Sequence, residues 1–266
     1  MDKEKISILI SNFNKENYLN KCIQSCIDQK YNNLEIIVID NNSTDNSFNI
    51  IKSYFNKIIF KQKKKVSSYS PANQIDVLIE AYKMSTGKIL CLLDSDDFFF
   101  PEKIHTIKNI FANNPKLDIL FDIPHTQKKN KIYPLKIKKK FNKYIWPTIL
   151  PTSSISLKRS LFKDCLELNL FDNYPILEID FRLNFFAQNI IGNYQIIDKR
   201  LTFYRKVENG IMSNIKKFSF KWWFKRLNAH YFVEDLYKKQ KIYFKKNYDY
   251  YLTKIIVFLL KKIKII

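Results

Sequence analysis

Three short apolar runs organise the first part of the chain, and each stops at a polar cluster. Ile6-Ser7-Ile8-Leu9-Ile10 runs into Ser11-Asn12-Phe13-Asn14, and Leu34 to Ile39 runs into Asp40-Asn41-Asn42-Ser43-Thr44-Asp45. Ile89-Leu90-Cys91-Leu92-Leu93 runs into Asp94-Ser95-Asp96-Asp97. Continuous apolar runs of this length predict strands covered on both faces. Between the first two, Leu19, Cys22, Ile23, Cys26 and Ile27 recur at helical spacing. Strand, helix and strand joined by short polar turns form a βαβ unit, which implies a parallel sheet. Open α/β sheets bind ligands beyond the carboxyl ends of their strands. Ser11, Asn12, Asp40, Asn41, Asp94, Asp96 and Asp97 are therefore expected to converge there.

The cluster after Leu93 places three carboxylates within four positions. Such a cluster repels itself unless something cationic sits beside it. A hard divalent metal takes oxygen ligands, and Mg2+ is usually held by one or two carboxylates plus substrate phosphates. The competing reading is a solvated acidic turn that caps a helix before Pro101. Glycine usage narrows the chemistry further. Only Gly87, Gly192 and Gly210 occur, so neither a dinucleotide fingerprint nor a P-loop can be built. A phosphate-bearing ligand would have to be held by a metal and side chains.

In order and spacing these segments resemble an inverting family 2 glycosyltransferase. The resemblance rests on Ser7 to Asn14 with Tyr18-Leu19, on Ile37 to Asp45, and on Gln74. It continues through Ser85-Thr86-Gly87-Lys88-Ile89-Leu90, Leu93 to Asp97 and Pro101-Glu102-Lys103-Ile104. It is strong from about residue 5 to 112 and looser from about 150 to 215. It implies an α/β fold of the GT-A type, a Rossmann-like and mostly parallel sheet flanked by helices, with a C-terminal helical extension. It implies nucleotide contacts from Ser11, Asn12 and Phe13, base recognition at Asp40 and Asn41, and a supporting Gln74. Asp94 and Asp96 would face the nucleotide, and Asp96 and Asp97 a divalent metal, Mg2+ or Mn2+. Glu178-Ile179-Asp180-Phe181-Arg182-Leu183 resembles the acidic pair of the acceptor half. Asp180 stands at the place of the catalytic base, with Glu178 second. Pro151 to Arg159 resembles the strand after the acceptor loop, where small hydroxyl residues border the site. Phe203-Tyr204-Arg205 resembles the closing element, which puts Arg205 at the diphosphate; the competing reading is an ordinary surface arginine. Three departures stand out: Asn41 replaces a second acidic residue, the helix near Ile79 lacks an Asn or Gly, and no His follows Arg205.

The implied partners are a nucleotide-diphospho-sugar donor and a glycan or lipid-linked acceptor. Residues 1–215 would form the transferase domain, with a nucleotide half at 1–112 and an acceptor half at 113–215. Residues 216–266 would be a basic, aromatic extension. The formal net charge of +21 concentrates in lysine clusters, the later ones interleaved with Phe218, Phe220, Trp222, Trp223 and Phe224. Such clusters suit an anionic membrane surface, an anionic substrate or a solvated helix face. Nucleic acid is not an expected partner, since no nucleic-acid-binding motif is present. The run Ile255 to Leu260 is too short to span a bilayer, and no charged-then-apolar leader precedes the first strand. A cytoplasmic protein, or one peripheral on the inner face of a membrane, is expected. The cysteines read as core residues and His105, His125 and His230 show no ligand spacing. The stretch from Gln127 to Asn142 is expected to be the most mobile segment, as an acceptor-side loop or a surface insertion. Three rivals stand beside the transferase: a catalytically degenerate relative that only binds, a nucleotidyltransferase, whose Gly-rich signature is missing, and a basic nucleic-acid-binding protein, which ranks last.

Overall fold

The computed structural model describes residues 4–128, 131–136, 146–207 and 215–263. The first half runs β1 (Ile6–Asn12), α1 (Glu16–Ile27), β2 (Leu34–Asp40), α2 (Ser47–Lys52), β3 (Ile59–Gln62), α3 (Ser70–Met84) and β4 (Ile89–Asp94). Then follow β5 (Phe98–Phe99), α4 (Lys103–Asn113), β6 (Ile119–Asp122), β7 (His125–Lys128) and β8 (Lys131–Pro134). A 3-10 turn at Thr152–Ser154 leads into β9 (Ile155–Lys158), α5 (Arg159–Glu167), α6 (Ile179–Phe186), β10 (Tyr194–Ile197) and β11 (Thr202–Tyr204). The chain closes with α7 (Phe220–Lys239) and α8 (Tyr248–Ile263). The fold is α/β, as expected. Within the stretch from Gln127 to Asn142, residues 127–128 and Lys131–Pro134 lie in the paired strands β7 and β8; residues 129–130 and 137–142 lie outside the described residues.

The main sheet has the order β10-β6-β9-β4-β1-β2-β3. β9 runs antiparallel to both neighbours, and the other pairs are parallel. Strand parity sorts the core into two layers. Ile6, Ile8 and Ile10 pack with Ile36, Val38, Cys91 and Leu93 against α1, α2 and α4. Leu9, Ile37, Ile39, Leu90 and Leu92 belong to the other layer, with α3, α5, α6 and α7. Ala229, Phe232, Val233 and Leu236 bring α7 into this second layer. Cys22, Cys26, Cys91 and Cys165 are all buried and free.

Register decides what meets at the strand ends. β1 pairs Ser11 with Asp94 of β4 on one side and Asn12 with Asp40 of β2 on the other. A second sheet, β5-β11-β7-β8, folds the later chain back over this edge. Phe203 of β11 pairs with Phe98 of β5, which carries Arg205 to the Asp94–Asp97 turn. Beneath, Lys103 of α4 and Asp122 of β6 form an ion pair with both side chains fully buried. The Lys103 ammonium also donates to Thr202 Oγ1 at 2.9 Å and to the Ser153 carbonyl at 3.3 Å. One charge thus ties together α4, β6, β11 and the turn before β9.

Candidate active site

The donor end is a chain of mutually bonded polar groups. Ser11 Oγ donates to Asp94 Oδ1 at 2.9 Å, and Gln74 Nε2 donates to the same oxygen at 2.6 Å. Among the described residues no side chain donates to Asp94 Oδ2. Burial, then the neighbouring Asp96 charge, pushes the Asp94 carboxyl up to about 6, against the bonds from Gln74 and Ser11. Asp96 is partly exposed and pairs with Lys15 Nζ at 2.8 Å. Lys15 carries no motif signal; its place in the β1–α1 turn, close after Asn12, is the one hint the sequence holds.

Asp97 is turned inward and is only 1% exposed. Ser153 Oγ donates to its Oδ2 at 2.6 Å, and the Arg205 backbone N–H to its Oδ1 at 2.6 Å. Burial and the Asp96 and Asp94 charges hold its carboxyl well above the usual range. The expectation that Asp97 faces a metal therefore meets a different arrangement, in which one oxygen is bonded at the end of β11 and the other to the turn before β9. Asp40 is similar. It is fully buried and accepts from Asn12 Nδ2 at 2.7 Å, the Ser43 N–H at 2.9 Å and Gln62 Nε2 at 3.4 Å. Its carboxylate oxygens are taken up by these protein donors. Asn41, 6% exposed, is bonded through its N–H to the Asn12 carbonyl. Phe13 is exposed and lies 3.6 Å under the Lys65 ammonium. Arg205 is no ordinary surface arginine: its guanidinium donates to the Asp96 carbonyl and lies 4.6 Å from the Tyr18 ring.

The second half supplies a different set. Asp180 opens α6, where it accepts from the Phe181 N–H at 2.6 Å and where the helix dipole favours an anion. Burial, then the Glu178 charge, pushes its carboxyl up to about 7, opposed by Lys225. Glu178 is ion-paired with Lys225. The Asp94 charge contributes to the rise at Asp180. The Tyr204 hydroxyl is raised by burial and then by Asp97, Asp180, Asp94 and Asp96 together. The two acidic sets are thus within electrostatic reach of each other, with Tyr204 close to both. Glu178 and Asp180 line a cavity of about 240 Å³, shared with Trp146, Ile149 and the α7 residues Trp222, Lys225, Arg226 and Ala229. Arg182 is fully buried and donates to the carbonyls of Leu170, Asp172, Asn173 and Tyr174 at 2.7–3.0 Å, holding the loop before α6.

The family model described as glycosyl transferase family 2 matches residues 7–166. The chain belongs to this family. An uncharacterised glycosyltransferase of Haemophilus influenzae is 37% identical over 116 residues, 43% of this chain and 45% of the relative. The chain thus spans under half the length of that relative. The fold agrees with solved structures that share it at low identity. TarS of S. aureus in complex with UDP-GlcNAc superposes with a TM-score of 0.64 at 15% identity, over 95% of this chain and 70% of that one. The mannosyltransferase PcManGT of Pyrobaculum calidifontis, in complex with GDP-Man and Mn2+, gives 0.55 at 13% identity, over 93% and 67%.

Family members of this type raise the question of a metal. Among the described residues no three His, Cys, Asp or Glu side chains form a metal-holding group. An all-protein cage is not what Mg2+ or Mn2+ needs, since one or two carboxylates and substrate phosphates suffice. The donor set at the turn is oxygen only. Asp96 Oδ2 already holds one cation, the Lys15 ammonium, and no described side chain donates to Asp94 Oδ2. These residues fit a hard divalent ion shared with a diphosphate.

Proposed function

We propose that the chain transfers a sugar from a nucleotide-diphospho-sugar to a hydroxyl of a glycan or lipid-linked acceptor, with inversion at the anomeric carbon. The observation that carries this reading is Asp180: a carboxylate at a helix N-terminus, raised to about 7, at the wall of a cavity and within electrostatic reach of Asp94. A base with a pKa near the working pH suits removal of a hydroxyl proton as the oxygen attacks. Attack from the face opposite the leaving group inverts the configuration. Glu178, paired to Lys225, keeps negative charge beside Asp180 and helps keep its carboxyl basic.

The donor half would bind and orient. Asp94, set by Ser11 and Gln74, faces the ribose and Arg205 the diphosphate. Phe13 is the exposed ring available to the base. Asp96, with Asp94, would hold the Mg2+ or Mn2+, and Asp97 fixes Arg205 from behind. The metal, when bound, supplies charge neutralisation for the leaving diphosphate.

The third partner in this reading is an anionic membrane surface on the cytoplasmic side. It is supported by α8, where Tyr250, Thr253 and Val257 are buried while Tyr251, Ile255, Phe258, Leu259 and Ile263 remain exposed. Lys254, Lys261 and Lys262 flank that face. Among the described residues no helix is long and apolar enough to cross a membrane. An amphipathic helix of this kind lies in the interface rather than across it.

A thermal-shift panel of UDP, GDP and TDP with and without Mn2+ tests the donor reading. At least one diphosphate should stabilise the chain, and more so with Mn2+. No stabilisation by any of them would overturn it. The anomeric proton coupling of the transferred sugar tests inversion.

A further inference from the structure

The cavity beside Asp180 is built, not left over. Trp222, Lys225, Arg226 and Ala229 line it from α7 at spacings of three, four and seven residues, one face of a helix. The opposite wall holds Trp146 and Ile149, and that segment is stapled to α6 and to the π-helical turn Ala187–Ile191 that continues it. Thr148 and Gln188 exchange two bonds, 3.0 Å from the Thr148 N–H and 2.8 Å to its carbonyl. Asn184 does the same with Leu150, at 3.3 and 2.8 Å. Trp146 Nε1 donates to Asp249 of α8 at 3.1 Å. The Arg226 guanidinium lies 4.4 Å from the Trp146 ring and 5.3 Å from the Trp222 ring.

We infer that this cavity is an acceptor subsite and that it takes the six-membered ring of a neutral sugar, presented to Asp180. The inference rests on the transferase reading for Asp180's role, but the cavity's contents follow from its own walls. Its two cations are matched internally: Lys225 to Glu178, and Arg226 to both Asp249 oxygens at 2.7 Å. An anionic acceptor group would have to break one of these pairs and would meet the Glu178 and Asp180 carboxylates. What the cavity offers instead is aromatic surface with carboxylate oxygens at one end. A pyranose matches that division. Its C–H face is apolar and carries slight positive charge toward an electron-rich ring, and its hydroxyls donate to carboxylates. Pockets of this kind are mostly apolar with a few placed polar groups. Size agrees as well. A cavity of roughly 150 Å³ holds one benzene, so about 240 Å³ admits a single pyranose with its hydroxyls. The helix α7 that lies C-terminal to the matched family region is therefore part of the acceptor machinery.

Saturation-transfer NMR on the full chain tests this, with methyl glucoside, galactoside, mannoside, N-acetylglucosaminide and N-acetylgalactosaminide as probes. At least one should receive saturation at its ring C–H protons. Its affinity should fall tenfold or more in Trp222→Ala. Ile149 is 43% exposed at the cavity rim, so Ile149→Trp should fill the space without disturbing the fold and give the same loss. Nucleoside-diphosphate affinity should not change in either variant. If Trp222→Ala does not fold, Ile149→Trp decides. A parent that binds a nucleoside diphosphate but none of the pyranosides would overturn the inference, as would variants that bind them like the parent. Pyranoside binding without nucleotide binding would support the sugar site and sink the transferase reading instead.

Discussion

The two halves of the site treat their carboxylates in opposite ways. At the donor end Asp40 and Asp97 turn inward and take donors from Asn12, Ser43, Gln62, Ser153 and Arg205. Under them Lys103 and Asp122 close a buried pair. At the acceptor end the supporting bonds come from behind: Arg182 grips five carbonyls, and Asn184 and Gln188 grip the cavity wall. Asp180 and Glu178 stay on the cavity lining. One half thus uses acidic residues largely as structure that shapes a rigid turn. The other keeps them at the cavity wall and leaves most of the bracing to amides and an arginine. A carboxylate in a motif is not by that fact a ligand; its hydrogen-bond partners decide.

The largest expected effect tests the structural half. Lys103→Met strands the Asp122 carboxylate in a fully buried place. Removing one partner of a buried pair costs about 3–5 kcal/mol. Urea unfolding should show that loss, and Lys103→Met with Asp122→Leu should recover most of it. A single variant as stable as the parent would break the contrast.

Ser153→Ala comes next. It removes the donor to Asp97 and the acceptor of the Asp94 N–H at 3.0 Å, and an unsatisfied buried group costs about 1–3 kcal/mol. Nucleoside-diphosphate affinity should weaken by isothermal calorimetry while pyranoside binding holds. Equal losses at both ends would mean the halves are not separate.

The acceptor half should also carry the pH dependence. Protonated Asp180 cannot accept a proton, and its carboxyl sits at about 7. The transfer rate should be flat above that pH and fall about tenfold per unit below it, as one required deprotonation demands. A pH–rate profile level down to the ordinary carboxylate range would remove Asp180 from the role.

The smallest effect on the fold lies on α8. Phe258 and Leu259 are exposed, so Phe258→Asp with Leu259→Asp should shift stability by only about 0.5 kcal/mol. Sedimentation with anionic vesicles should nevertheless drop clearly. Salt should weaken the parent's binding without abolishing it, since burial of apolar side chains is not screened. Unchanged sedimentation would remove the membrane from the account.

Much of the donor half was legible in the sequence because its signals are local. Apolar runs at Ile6, Leu34 and Ile89 become β1, β2 and β4, and parity plus register then forces Ser11 beside Asp94 and Asn12 beside Asp40. What a linear pattern does not show is which way a carboxylate turns. Asp96 and Asp97 are adjacent, yet one meets Lys15 and the other Ser153. Lys103 and Asp122 sit in different elements with no shared motif, so their pairing was invisible. The cavity was invisible for the same reason. Trp146, Ile149 and Trp222 meet only after α7 packs along α6, and Trp222 read as one of a run of interfacial aromatics.

The central claim is that Asp180 removes the acceptor proton. It is tested most directly by single-turnover transfer from a nucleotide sugar to whichever pyranoside the parent glycosylates, with Asp180→Asn beside the parent and Glu178→Gln as the neighbouring control. Asparagine keeps the size and the bond at the α6 N-terminus but cannot take a proton. Transfer by Asp180→Asn should fall by about a hundredfold or more, with nucleoside-diphosphate affinity unchanged and the rise in rate through pH 7 gone. Transfer within a few-fold of the parent, with the pH dependence intact, would contradict the account.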